Sequence, residues 1–199
     1  MESLTNLINQ LLELTDRTLI VRQLQRIESE ILLHYQMQKE DIIVRFKEIE
    51  IYYQNESAGF VDSTMHQPGK TDLQSNNFGK LYPHGAGFDI CLSDNEKYRL
   101  SFLVRSACIN GNLTIGPLSV YDKVKPRKFY DTVLIRKDVT PDEIKYATRF
   151  NVKEVHGSQK EDIDLVLRAV IGSPFEKEPD STGVASREIK QKTFFKTID

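Results

Sequence analysis

The sequence predicts an α+β protein with a helical N-terminal segment ahead of a strand-rich body. Three observations predict it. Apolar residues recur at three- and four-residue steps from Leu4 to Leu32. From Ile42 to Tyr53 the run IIVRFKEIEIYY is rich in β-branched and aromatic types and alternates as a strand does. Short apolar runs bounded by glycine, proline and asparagine then follow. The 199 residues suffice for one large domain or two small ones, with enough chain to bury a sizeable core.

Residues 2–37 read as helix in one or two pieces. Leu4, Leu7, Ile8 and Leu11 form one stripe, and Leu24, Ile27 and Ile31 continue it. Thr15-Asp16 is the expected break, because Asp16 can cap a second helix. A helical hairpin packed on its own domain, or on another protomer, is expected. Residues 41–53 read as a strand. Residues 54–79 are polar, without period, and long enough to suggest a functional loop that includes His66 and Lys70. Gly79 to Leu92 reads as strand, Gly-rich turn and strand; its glycines suit either a plain turn or close backbone approach to a ligand. Ser101 to Ile109 reads as a buried strand interrupted by Arg105, which needs a carboxylate or bound-anion partner. Gly116-Pro117 reads as a turn, Val120–Tyr130 as a basic stretch and Thr132–Arg136 as a short strand. Thr140-Pro141-Asp142-Glu143 reads as a helix start, with a further helix over Glu161–Ile171. Residues 172–188 read as loop, and Lys190–Ile198 as a returning strand.

A net charge of −2 gives no general attraction to nucleic acid or an anionic membrane, so DNA binding needs a local basic patch. Lys123 to Lys128 is the candidate for tracking phosphates. Cys91 and Cys108 have no metal-ligand spacing and read as buried thiols of a reducing compartment. His66 and His84 lack a third ligand, so no metal site is expected. There is no signal-peptide layout and no membrane-length apolar run, which makes a soluble cytoplasmic protein the expectation. No dinucleotide or phosphate-loop motif occurs, and nothing supports Ser101 or Cys108 as a nucleophile.

The chemistry concentrates at Glu48-Ile49-Glu50-Ile51-Tyr52. Strict alternation places Val44, Phe46, Glu48, Glu50 and Tyr52 on one face and Ile43, Arg45, Lys47, Ile49, Ile51 and Tyr53 on the other. A carboxylate beside an aromatic ring can activate water or stabilise a cationic ring. The same strand also reads as half-exposed, with solvated charges.

Several blocks resemble, in order, the methylpurine (3-methyladenine, alkyladenine) DNA glycosylases. Glu48-Ile49-Glu50-Ile51-Tyr52 is similar to that family's Glu-x-Glu-x-Tyr strand. Gly79-Lys80-Leu81-Tyr82 is similar to its Gly-x-Leu-Tyr strand, and Leu103-Val104-Arg105-Ser106-Ala107 to its Leu-x-Arg-Ala strand. Thr182-Gly183-Val184 with Phe194-Phe195 resembles its closing segment. The matched blocks span roughly residues 41–108, and the leading helices lie outside them.

The resemblance implies a single α+β domain over residues 1–199, its body from 41 to 199 built on a curved, largely antiparallel sheet. It implies a monofunctional glycosylase without metal or cofactor, acting on double-stranded DNA with a modified base. Glu50 would position and deprotonate the attacking water, with Glu48 as a neighbour that tunes it or serves as alternative base. Tyr52 would stack on the flipped base, His66 would contact its edge, and Arg105 would lie near the carboxylate. Glu50, Tyr52, Tyr82, His84 and Arg105 are expected to line one cavity wide enough for a purine. Tyr82-Pro83-His84 departs from the family's Tyr-x-Tyr, so the His84 imidazole would replace one aromatic wall. Only Phe88 could serve as the DNA wedge, and Asp89 and Asp94 have the wrong sign for a phosphate contact. Two other functions remain open: a non-catalytic nucleic-acid or nucleotide binding module on the same scaffold, or an interaction protein that forms homo-oligomers or docks partners through its helices.

Overall fold

A computed structural model describes residues 3–65, 77–125, 133–137, 144–149 and 165–171. Within them the chain forms an α+β domain whose antiparallel sheet curls into a half-barrel behind two N-terminal helices. Helix α1 spans Leu4–Leu12 and α2 spans Arg17–His34. Ser3 and Asp16 cap them, Ser3 Oγ accepting from Asn6 N (3.2 Å) and Asp16 Oδ1 from Leu19 N (2.9 Å). Leu4, Leu7, Ile8 and Leu11 of α1 and Ile20, Leu24, Ile27 and Ile31 of α2 are buried in one core cluster. Of the two packings expected for these helices, docking onto their own domain is present. Gln23 ties the pair together by donating to the Leu7 carbonyl at 2.9 Å.

The helix ends earlier than residue 37. Tyr35–Lys39 is strand β1, paired with Ile42–Gln54, strand β2. Strands β3 (Leu81–His84) and β4 (Gly87–Cys91) form the expected hairpin, and β5 (Arg99–Ile109) the expected buried strand. Strand β6 (Asn112–Ile115) turns back on β5 through Asn110-Gly111, both with positive φ. Gly116-Pro117 does not simply turn the chain: Pro117 is the first residue of helix α3, Pro117–Val124, where its missing N–H costs nothing. Lys123, in the expected phosphate-tracking stretch, donates to Thr114 Oγ1 at 2.9 Å, and residues 126–128 lie outside the described residues. Strand β7 (Val133–Arg136) agrees with the sequence reading.

Two expected helices are corrected. Ile144–Ala147 is strand β8 where a helix was to follow Thr140, and Arg168–Ile171 is strand β9 where a helix was to end. Four-residue segments carry little period, and pairing with distant strands decides them. The closing segment (residues 172–199) lies outside the described residues.

The sheet runs β3-β4-β5-β2-β1-β7, with β6 on β5 and β9 joining β2 to β8. Along one side β2 therefore changes partner. β1 pairs with Ile42 to Arg45 and β9 with Glu48 to Glu50, so Phe46 and Lys47 lie at a seam. On the other side β2 pairs with β5 with two offsets: Lys47 is the extra residue on β2, then Arg105 on β5. The irregularity corrects the strict alternation. The Phe46 ring meets Phe102 edge-on at 5.3 Å, and Phe102 lies opposite Ile51. Val44 and Phe46 thus join Ile49, Ile51 and Tyr53 in the core, while Glu48, Glu50 and Tyr52 face the other way.

In the hairpin, Gly87 is required by the packing of the protein itself. Gly87 has φ +139°, and a β-carbon there would sit 3.0 Å from Pro117 Cβ and 3.3 Å from Leu103 Cδ1. Gly87→Ala is expected to destabilise the fold by about 1–3 kcal/mol in urea denaturation. Gly85→Ala, where nothing lies within 4 Å, should stay within about 0.5 kcal/mol. Phe88 is fully buried in the core, which removes it as a DNA wedge. No helix among the described residues is long and apolar enough to cross a membrane.

Candidate functional site

Strand register brings the expected site residues onto one face. Tyr82 lies opposite Asp89, Asp89 opposite Leu103, Leu103 opposite Glu50, Glu50 opposite Arg168, and Arg168 opposite Ala147. The row crosses six strands. Side chains of paired residues share a face, and so do residues two apart on one strand. Tyr52 and Ser101 form the next pair on this face, and His84 stands two residues beyond Tyr82. Of the seven positions expected from sequence, six (Glu48, Glu50, Tyr52, Tyr82, His84 and Arg105) thus share this face; His66 lies outside the described residues.

Charge organises the face. Arg105 bridges the two acids, with Nε 3.4 Å from Glu48 Oε1 and Nη1 3.2 Å from Glu50 Oε2. As the extra residue of β5, it is re-aimed at them by the local break in pairing. Burial alone would lower the Arg105 pKa; the facing Glu50 and Glu48 outweigh it and hold the guanidinium more firmly charged than usual. Tyr52 donates its phenol to Glu50 Oε2 at 3.1 Å. Burial, then the Glu50 charge, pushes the Tyr52 pKa well up, so it acts as a neutral donor.

Four residues of the candidate site were missed in the sequence: Arg168, Ser106, Arg149 and Asp62. Arg168 Nε donates to Glu48 Oε1 at 2.5 Å, and Ser106 Oγ donates to Glu48 Oε2 at 2.9 Å. Arg149 grips Asp62 with two nitrogens, at 2.5 and 3.2 Å, and its guanidinium lies 4.9 Å from the Tyr52 ring centre. An arginine inside Leu165-Val166-Leu167-Arg168-Ala169-Val170-Ile171 is the same signal that singled out Arg105, but there it was absorbed into a helix. Asp62-Ser63-Thr64 carries a turn signature, realised as Thr64 N and Oγ1 donating to Asp62 Oδ1 at 3.1 and 2.6 Å.

Glu28 of α2 is the fourth acid near this cluster. It is fully buried and neither carboxylate oxygen makes a hydrogen bond of normal geometry; the neighbouring Ile51 N–H donates to the Leu167 carbonyl at 3.1 Å. Burial, reinforced by the Glu50 charge, holds its pKa well above the ordinary 4.5. Three guanidinium groups (Arg105, Arg149, Arg168) thus face three carboxylates (Glu48, Glu50, Asp62), while burial favours the protonated form of Glu28. The folded state binds this proton more tightly than the unfolded chain, so stability falls as pH rises above the ordinary carboxyl range. Glu28→Gln should remove that slope, matching the native protein at about pH 4 and exceeding it by about 1–3 kcal/mol at about pH 8 in urea denaturation.

His84 Nε2 is 2.9 Å from Asp89 Oδ1, and Ser101 Oγ donates to Asp89 Oδ2 at 3.0 Å. The serine addresses the aspartate rather than the imidazole, which is not the relay a nucleophilic serine requires. The Tyr82 and His84 rings lie 6.0 Å apart, tilted by 33°. No group of three or more potential metal ligands occurs among the described residues.

The face is a closed polar layer. Glu50 is 0% exposed, Glu48 1%, Arg168 1% and Arg105 5%. A cavity of about 500 Å³ lies elsewhere, at the β2 seam, and none of the six expected residues lines it. Cys108, expected to be buried, is half-buried there, whereas Cys91 is fully buried. Compared with known proteins, the chain matches no protein-family model and no curated protein.

Proposed function

We propose that the chain is a carboxylate-dependent N-glycoside hydrolase of DNA-glycosylase type, acting on a modified purine taken out of the duplex stack. The supporting observation is convergence: the acids and tyrosine of the Glu-x-Glu-x-Tyr strand stand on one face with Arg105 of the Leu-x-Arg strand, 3.2 Å from Glu50. In this reading Glu50 takes a proton from water, the water oxygen attacks the anomeric carbon, and the bond to the purine nitrogen breaks with its electron pair leaving on the base. Arg105 orients the carboxylate, while Tyr52 supplies a neutral phenol and a π-face for a cationic ring. Extrusion costs least for damaged or mispaired bases. Because Glu50 is enclosed, an entering base must displace the Tyr52 phenol from it.

That enclosure favours a second reading, a non-catalytic nucleic-acid or nucleotide binding module on the same scaffold. Release of free base from duplexes carrying alkylated or deaminated purines separates the two. Glu50→Gln is expected to slow release by about 10²–10⁴-fold with duplex binding retained by fluorescence anisotropy. Release from no modified duplex by the unaltered protein ends the hydrolase reading; salt-dependent binding without release establishes the second.

A further inference from the structure

The cavity of about 500 Å³ at the β2 seam is independent of the Glu50 face. It sits where β1 gives way to β9 alongside β2, at Phe46 and Lys47. Its size falls in the usual range for small-molecule sites. Tyr35 and Ile43 give it an apolar, partly aromatic lining, and Arg45 and Lys47 give it two cations. Among the described residues no carboxylate lines it and neither cation has an ion-pair partner. One rim is fixed: Asn110 at the β5–β6 turn receives Ile43 N on its side-chain oxygen at 2.8 Å and returns its own N–H to the Ile43 carbonyl at 3.0 Å.

We propose that this seam cavity binds a small aromatic anion, its flat body lying against Tyr35 and Ile43 and its carboxylate, sulfonate or phosphate held by Arg45 and Lys47. Apolar walls favour a ring out of water, and unpaired cations at the mouth favour a single negative group over a neutral one. Cys108 lies opposite Arg45 on β5 and also lines the cavity, so an occupant covers its thiol.

Anilinonaphthalene sulfonate tests this by fluorescence titration of the full chain, with uncharged phenylnaphthylamine as the comparison. The sulfonate should bind at least about tenfold more tightly than the neutral amine, and Arg45→Gln and Lys47→Gln should each weaken it by about fivefold or more without shifting the urea midpoint. Occupancy should slow alkylation of Cys108 by iodoacetamide, with buried Cys91 as the internal control. Equal affinity for charged and neutral probes, indifference to both substitutions, or unaltered Cys108 alkylation at saturation overturns the proposal. None of these readouts depends on base release, so failure here and failure of the hydrolase reading are distinguishable.

Discussion

Arg168→Met is expected to destabilise the protein by about 3–5 kcal/mol, moving the urea midpoint with little change of slope. Arg168 places Nε and Nη2 on Glu48 Oε1, both at 2.5 Å, where Glu48 is 1% exposed. Removing the guanidinium leaves that carboxylate in the interior with Arg105 Nε at 3.4 Å and the Ser106 hydroxyl as its remaining partners. A buried charge that loses its best partner costs more than the pair contributed, because water cannot replace the lost contact. Lysine should not restore stability, since a single ammonium cannot reproduce a planar fork with two nitrogens on one oxygen. Glu48→Gln combined with Arg168→Met should recover part of the loss, because no unpartnered charge remains at that position. A loss under about 1 kcal/mol for Arg168→Met alone contradicts this account.

Asp62→Ala is expected to cost a similar amount, about 3–5 kcal/mol. Both side chains of the Asp62–Arg149 pair are 0% exposed, and the two hydrogen bonds run in parallel. Burial alone would lower the Arg149 pKa, and the Asp62 charge is the main influence that keeps it above the ordinary value. Without it, the cation over Tyr52 loses both of its hydrogen bonds to Asp62. Asp62→Asn keeps the shape and two acceptor lone pairs, so it should lose less than Asp62→Ala. Equal losses would mean that charge matters there and shape does not. If the Glu50 face acts in base release, Asp62→Ala should also lower that rate through Tyr52, even under conditions where the variant remains folded.

The long elements were legible in the sequence, and so were the residues that meet on them. Residues 42–54 carry enough alternation to announce a strand, and Arg105 inside an apolar run announces a partner carboxylate. Asp16 marks the second helix because only a capping side chain explains a polar break inside a continuous leucine stripe. Among the short strands, β3, β4 and β7 were legible and β8 and β9 were not. Ile144–Ala147 and Arg168–Ile171 are each four residues, too few for period to separate helix from strand. They are strands because β2 and α2 offer them partners: β2 pairs with β9, Gln25 donates to the Val166 carbonyl at 2.8 Å, and the Tyr146 hydroxyl donates to the Gln25 carbonyl at 3.2 Å. The site was half legible for the same reason. Glu48, Glu50 and Arg105 lie on long strands, whereas Asp62 and Arg149 come from irregular segments and Arg168 from a misread one. The enclosure of Glu50 is a tertiary property, set by how these distant pieces close over it.

The surplus residue at Lys47 gives the chain an unusual latitude in length. With position 47 excised, plain alternation from Val44 would still turn Phe46, Ile49, Ile51 and Tyr53 inward and keep three polar groups out of the oily interior. Excision would straighten the kink without reversing a single side chain. Tolerance to both substitution and deletion would therefore be the local fingerprint of this protein, readable by comparing a saturation library at position 47 with a single-codon excision.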